Sequence, residues 1–304
     1  MNLTHRILTL LAICMLPFSL AATLPIAPGA ELRCVSSNFA FTEGPAADTA
    51  GNVYFTDQPN DRIHLWNAST GEVSVFMEPS GRSNGLWFTT HPQPTLYACA
   101  DADGELWSID VDTLAVTVRV AGFSGKLLNG PNDVWVHPDG SLYFTDPFYK
   151  RPYWNNREAP EQPGQHVYRL PVGSTEAIPV ETGLQQPNGI IGTPDGRQLF
   201  VADIGAKQTW VYTIDEQGEL SDKRLFCELG SDGMTLDADG NLYLTGDGVT
   251  VFSPKGKLLG NIPVPENWTA NVTFAGPEHR TLFITAMGSI YTLEMSVSGA
   301  AFQH

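Results

Sequence analysis

A chain of 304 residues with a net charge of −16 is far more acidic than basic, which repels phosphate backbones and excludes nucleic acid as a partner. Its 29 Gly and 22 Pro are spread along the whole length, so turns are frequent and long helices have little room. That pattern points to an all-β architecture.

In chain order, the first element is residues 1–22. A short basic start (His5, Arg6) is followed by an apolar stretch from Ile7 to Leu20 and a small-residue end at Ala21 and Ala22. The layout is that of a secretory signal peptide, and predicts a secreted or periplasmic protein. The apolar stretch is short for a bilayer and is broken by Pro17, and no later segment could span a membrane. Residues 23–304 then form a single domain. Beyond the leader only Cys34, Cys99 and Cys227 remain, an odd count with no metal-type spacing. They read as buried free thiols, with at most one disulfide.

A single motif recurs through this domain. "EGPAADTAGNVYFTD" begins at Glu43 and "NGLWFTTHPQPTLYACA" at Asn84. "NDVWVHPDGSLYFTD" begins at Asn132, "NGIIGTPDGRQLFVAD" at Asn188, "DGMTLDADGNLYLTG" at Asp232 and "NVTFAGPEHRTLFITA" at Asn271. Each copy has a polar residue, an apolar strand, a tight turn and a second apolar strand. The starts recur at roughly 40 to 55 residues, the period of propeller blades. Two further strand-like runs fill each period, such as "RIHLWN" and "EVSVFM". Six repeats of four strands predict a six-bladed β-propeller. The last repeat is one strand short, and the spare run "ELRCVSSNFAF" before Glu43 is expected to close that blade, covering an open sheet edge.

In a propeller the first strand of every blade lines the central channel. The residues that open these strands, Glu43, Asn84, Asn132, Asn188, Asp232 and Asn271, should therefore converge at one end of it. Two carboxylates and four amides, with no His or Cys, make an oxygen donor set suited to a hard cation such as Ca²⁺. Any one of them could instead be a local strand cap. Two carboxylates facing one spot without a cation would repel, however, and one would hold a proton. Asp57, Asp146 and Asp203, with Asp101 and Asp247, end the second strands; most read as structural, with Asp146 and Asp203 as candidates for an outer shell. His64, His91, His137, His166 and His279 read as solvated residues of turns or outer strands. No "GxSxG" elbow is present, and Cys99 and Cys227 have no evident His partner.

The third period is the longest and holds "DPFYKRPYWNNREAPEQPGQH", from Asp146 to His166. This segment is too long for a plain turn and predicts a loop over the channel mouth, with Tyr149 and Trp154 as a wall against a ligand.

The stretches "FTEGP", "LNGPNDVWVHPDGSLYFTDPFY", "QPNGIIGTPDG", "SDGMTLDADGNLYLT" and "NVTFAGPEHRTLFITA" together resemble the gluconolactonase/senescence-marker-protein (regucalcin-like) family over about residues 31–294. The resemblance implies a catalytic divalent cation, usually Ca²⁺, with Mg²⁺ or Zn²⁺ as alternatives. It places metal ligands on Glu43, Asn188 and Asp232 and a substrate-contacting residue on Asn132. The expected activity is hydrolysis of a small-molecule sugar lactone such as glucono-1,5-lactone, with Asp232 activating water and Asn132 orienting the substrate. Asn84, Lys126, Tyr149 and Trp154 are the further candidate substrate contacts. Relatives often carry a basic residue before the "LN.PND" stretch, where this chain has Leu127 beside Lys126, and a histidine-bearing segment where it has "ACADADGELW". A non-catalytic binding propeller and a phosphotriesterase are the alternative readings.

Overall fold

The computed structural model describes residues 23–300 apart from Asn156. The expected signal peptide lies outside the described residues. Strand β1 is Arg33–Ser36. The first blade is β2 (Thr42–Ala47), β3 (Val53–Asp57), β4 (Arg62–Trp66) and β5 (Val73–Met77). The second is β6 (Ser83–Thr89), β7 (Thr95–Ala100), β8 (Glu105–Asp110) and β9 (Val116–Val120). The third is β10 (Val134–Val136), β11 (Leu142–Asp146), β12 (His166–Leu170) and β13 (Ile178–Glu181). The fourth is β14 (Pro187–Gly192), β15 (Gln198–Asp203), β16 (Gln208–Ile214) and β17 (Leu220–Cys227). The fifth is β18 (Met234–Leu236), β19 (Leu242–Gly246), β20 (Gly248–Phe252) and β21 (Leu258–Ile262). The sixth holds β22 (Thr269–Ala275), β23 (Thr281–Ala286) and β24 (Ser289–Glu294), and β1 joins it antiparallel to β24, with Arg33 opposite Thr292. The chain thus forms the expected six four-stranded blades, closed by the expected N-terminal strand.

Burial explains the composition of the strands. Second strands such as β3, β11 and β19 are buried along their whole length, because neighbouring blades cover both faces. They are accordingly runs of large apolar residues ("VYF", "LYF", "LYL") rather than alternating ones. Outer strands are mostly half-buried or exposed, and Val75, Val118 and Leu258 on them face solvent. Aromatic and aliphatic side chains fill the wedges between blades. One such wedge packs Trp135 and Tyr143 of the third blade with Leu199 and Phe200 of the fourth and Leu242 of the fifth. The "PDG"-type turns join first to second strands, and Gly140, Gly196 and Gly240 sit there at φ of +91°, +73° and +78°, where a side chain would be strained.

The threonines of the second strands fasten neighbouring blades. Thr56 Oγ1 donates to the Asn84 carbonyl at 3.0 Å, Thr145 to Asn188 at 2.7 Å and Thr245 to Ala270 at 2.8 Å. Thr145 Oγ1 also accepts the Asp133 N–H at 3.2 Å, in a fully buried setting. Thr145→Val keeps the shape but strands two backbone groups, so a loss of about 1–3 kcal/mol is expected in urea unfolding.

Two expectations change. His64 and His166 are buried on third strands, His64 against the Phe55 ring at 5.3 Å, because third strands are covered by the adjoining blades. Cys34 is exposed on the edge strand β1, whereas Cys99 and Cys227 are buried, and all three are free thiols. The second-strand acids hold the chain approaching their own blades. Asp57 accepts the Phe41 N–H, Asp146 those of Asn129 and Gly130, and Asp203 those of Gln185 and Gln186. Their oxygens serve backbone amides, the structural role expected of most of these acids.

Candidate active site and metal centre

The six strand-opening positions stand next to one another around the channel, and the backbone shows how. In four blades the polar residue is followed by glycine, and that glycine abuts the next blade. A Cβ on Gly44 would lie 2.0 Å from the Asn84 carbonyl oxygen, and one on Gly85 would lie 2.5 Å from that of Asn132. The same holds for Gly189 against the Asp232 carbonyl at 2.8 Å and Gly233 against the Asn271 side chain at 2.0 Å. No side chain fits in these positions, so glycine lets the ring contract until the polar residues touch. The β2, β6, β14 and β22 ladders each slip register at this point, between Glu43 and Ala46, Ser83 and Leu86, Pro187 and Ile190, and Thr269 and Asn271. Such bulges re-aim side chains into the channel mouth.

At the centre, Asn188 Nδ2 donates to Asp232 Oδ1 and to the Tyr149 hydroxyl, both at 2.8 Å. Trp268 Nε1 donates to Asp232 Oδ2 at 2.6 Å. Glu43 is 2 % exposed, and Oε2 accepts the Gly44 N–H at 2.9 Å. Burial pushes the Glu43 carboxyl well above its usual range, and the Asp232 charge pushes it further. Burial lifts Asp232 to about 6, held there against the opposing pull of Trp268, Asn188 and Arg151. Asp133 is lifted by burial to about 8, and the nearby Asn271 amide pulls both it and Glu43 back towards their usual range. Three carboxylates thus share one poorly solvated pocket.

The donor set fits a hard cation. Asn188 Oδ1 and Asn84 Oδ1 are buried without a hydrogen-bond partner, and both belong to the ring around those carboxylates. A buried amide oxygen left unpaired is costly, and a cation satisfies it while relieving carboxylate repulsion. Among the described residues no three His, Cys, Asp or Glu side chains stand grouped at ligating distance. A cation would therefore rest on the Glu43 and Asp232 carboxylates and the Asn188 amide oxygen together.

The remaining expected residues divide. Asn132 is 4 % exposed, and its backbone is tied to Gly85 and Thr145. Tyr149 reaches the centre through Asn188. Trp154 instead lies buried under Arg157, whose guanidinium carbon stands 3.9 Å from its ring, and its indole N–H bonds the Asp101 carbonyl at 2.9 Å. It anchors the long loop from beneath. Lys126 is exposed and donates to the Glu161 carbonyl at 3.1 Å. Three residues escaped the sequence reading, Asp133, Trp268 and Arg151, while Asp101, one of the second-strand acids, is a buried hub. Asp133 had a signal, since it adjoins Asn132, but strand alternation would send neighbours to opposite sides. Trp268 and Arg151 are set by loop contacts that no local pattern marks.

Below the carboxylates the channel opens into an apolar cavity of about 390 Å³ lined by Trp87, Trp135, Ile191, Leu236 and Phe274, with Asp133 and Asn271 at its inner end. It lies at the far end of the channel and does not include Glu43, Asn188 or Asp232.

Known proteins are similar to this chain over most of its length. A gluconolactonase from Zymomonas mobilis is 30% identical over 88% of this chain and 82% of its own. A pentonolactonase from Haloferax volcanii is 26% identical over 84% of both chains. The structure of a gluconolactonase from Xanthomonas campestris superimposes with a TM-score of 0.81 at 30% identity, covering 91% of this chain and 92% of that one. A calcium-binding regucalcin from Agrobacterium tumefaciens has the same fold, with a TM-score of 0.73 at 21% identity over 92% and 97% of the two chains. Residues 41–288 match the SMP-30/Gluconolactonase/LRE-like region, and the chain belongs to that family.

Proposed function

We propose that this protein is an exported, cation-dependent lactonase that opens aldonolactones such as glucono-1,5-lactone to the aldonic acid. The observation that carries this reading is the unpaired Asn188 amide oxygen set beside the Asp232 and Glu43 carboxylates, in a chain whose relatives include named lactonases. Glu43, Asn188 and Asp232 would hold the ion, with Ca²⁺ the first candidate and Mg²⁺ or Zn²⁺ the others. When bound, the ion supplies Lewis acidity towards the acyl oxygen of the lactone.

The residues of the chain do the rest. Asp232 accepts the proton of the attacking water as the acyl carbon gains a bond to the water oxygen, and returns that proton to the ring oxygen as the acyl–oxygen bond breaks, so that the ring oxygen leaves as a hydroxyl. The lift of its carboxyl to about 6 suits a base working near neutral pH. Opposite charge beside it draws that value down and keeps the carboxylate ionised between turnovers. Trp268 and Asn188 each grip one of its oxygens and fix its plane. Asn132 orients the sugar. The 147–165 loop, pinned at Asp101, limits solvent at the mouth.

The test is a pH-stat assay of glucono-1,5-lactone with metal-loaded and chelator-treated protein. Chelation is expected to remove at least about 99% of the enzymatic rate, and added Ca²⁺ to restore it. A rate indifferent to chelator would refute the cation role. A rate no faster than spontaneous opening under both conditions would favour a binding propeller.

A further inference from the structure

Three arginines surround the long loop, and they are used differently. Arg82 lies over the Tyr153 ring at 4.4 Å and gives Nη1 to the Pro59 carbonyl at 2.8 Å. Arg157 lies over Trp154 and gives Nη2 to the carbonyls of Leu128 and Asn129. Both are staples. Arg151 is held by Nε alone, which donates to Asp101 Oδ2 at 2.7 Å, and among the described residues its two Nη groups have no hydrogen-bond partner. A fifth of its side chain is exposed. Its guanidinium carbon stands 5.3 Å from the centre of the Tyr149 ring, whose hydroxyl bonds Asn188. Its charge is felt by both Glu43 and Asp232.

The hold on Nε is itself well built. Asp101 is 1 % exposed, and the same Oδ2 also accepts the Tyr153 hydroxyl at 2.6 Å and Gln58 Nε2 at 3.1 Å. Its negative charge is thus spread over three donors, while the outer edge of the guanidinium keeps two parallel N–H groups for an incoming ligand. That edge matches a planar pair of oxygens.

We infer that Arg151 is a substrate-binding residue whose Nη edge takes the acyl oxygens, those of the lactone ester group before ring opening and of the aldonate carboxylate after it. Asp101 is its positioning residue. This rests on the lactonase reading for the identity of the ligand. Because hydrolysis turns a neutral ester into an anion, Arg151 binds product more strongly than substrate. The protein is then product-inhibited, and the inhibition depends on this residue.

The experiment is calorimetric binding of gluconate to metal-loaded wild type, Arg151→Met, Arg151→Lys and Tyr153→Phe, beside lactone kinetics and melting curves. Arg151→Met is expected to weaken gluconate about 10- to 100-fold, the loss of a charge-assisted bidentate contact, with Arg151→Lys in between. Tyr153→Phe, which loosens the loop but spares Arg151, should stay within about threefold of wild type. Equal gluconate affinity in wild type and Arg151→Met would overturn the inference. So would a loss in Tyr153→Phe as large as in Arg151→Met, since loop order would then be the cause. Absence of lactone turnover in wild type is a separate result, and it sinks the lactonase reading alone.

Discussion

Asp232→Asn is expected to lower kcat/KM for glucono-1,5-lactone by at least about a thousandfold while the protein stays folded. An amide cannot accept the water proton, and it offers a cation a dipole instead of a charge. It also has one acceptor where Asp232 uses two, so it can keep the Trp268 bond or the Asn188 bond in its present form but not both. The fold has little reason to fail, because the ring is held by glycine contacts and threonine staples outside this side chain. The check is a rate measurement at saturating Ca²⁺ together with the melting temperature. Turnover within tenfold of wild type would remove Asp232 from both of its roles.

The second large effect concerns stability. Glu43, Asp232, Asp133 and Asp146 all have carboxyls lifted by burial, the last three to about 6, 8 and 7. A carboxyl whose folded value lies above its unfolded one stabilises the fold while protonated, and that contribution is lost as pH rises through the folded value. Cation-free protein is therefore expected to melt at a lower temperature at pH 8 than at pH 5. Ca²⁺ should act in the opposite sense, because it needs the ionised forms and competes with their protons. At a thousandfold excess over Kd it adds about 4 kcal/mol. In a chain of this size that corresponds to roughly 10 °C. The increment should shrink towards pH 5, and calorimetry in buffers of different ionisation heat should show protons released on binding. A Ca²⁺ shift that is larger at pH 5 than at pH 8 would contradict the placement of the ion between Glu43 and Asp232.

The sixfold period made much of this legible. Glu43, Asn188 and Asp232 could be found because equivalent positions in repeated strands must face a common axis. The glycine after each of them was visible too, though its purpose, contact with the following blade, emerges only in three dimensions. Asp133 was hidden by the alternation rule. The chain at Asn132 and Asp133 has not yet entered β10, so the two neighbours need not diverge. Trp268 and Arg151 were hidden for another reason. Each stands on a connection whose path is set by tertiary contacts, the Asp232 carboxylate for one and the Asp101 hub for the other. Trp154 shows the converse error. An aromatic in a long loop was expected to face the ligand, but a large apolar ring with one N–H gains more by lying beneath the loop with that N–H paired.

The pairing of β1 with β24 has a consequence for how the molecule comes into being. β1 must wait for β24, so no growing chain can seal its seam before the sixth blade has been made. Until then β1 is a lone edge and the sixth blade is missing. Cutting the chain in the connection between two other blades, and joining the present ends, would move that vulnerable seam elsewhere around the wheel without altering its hub.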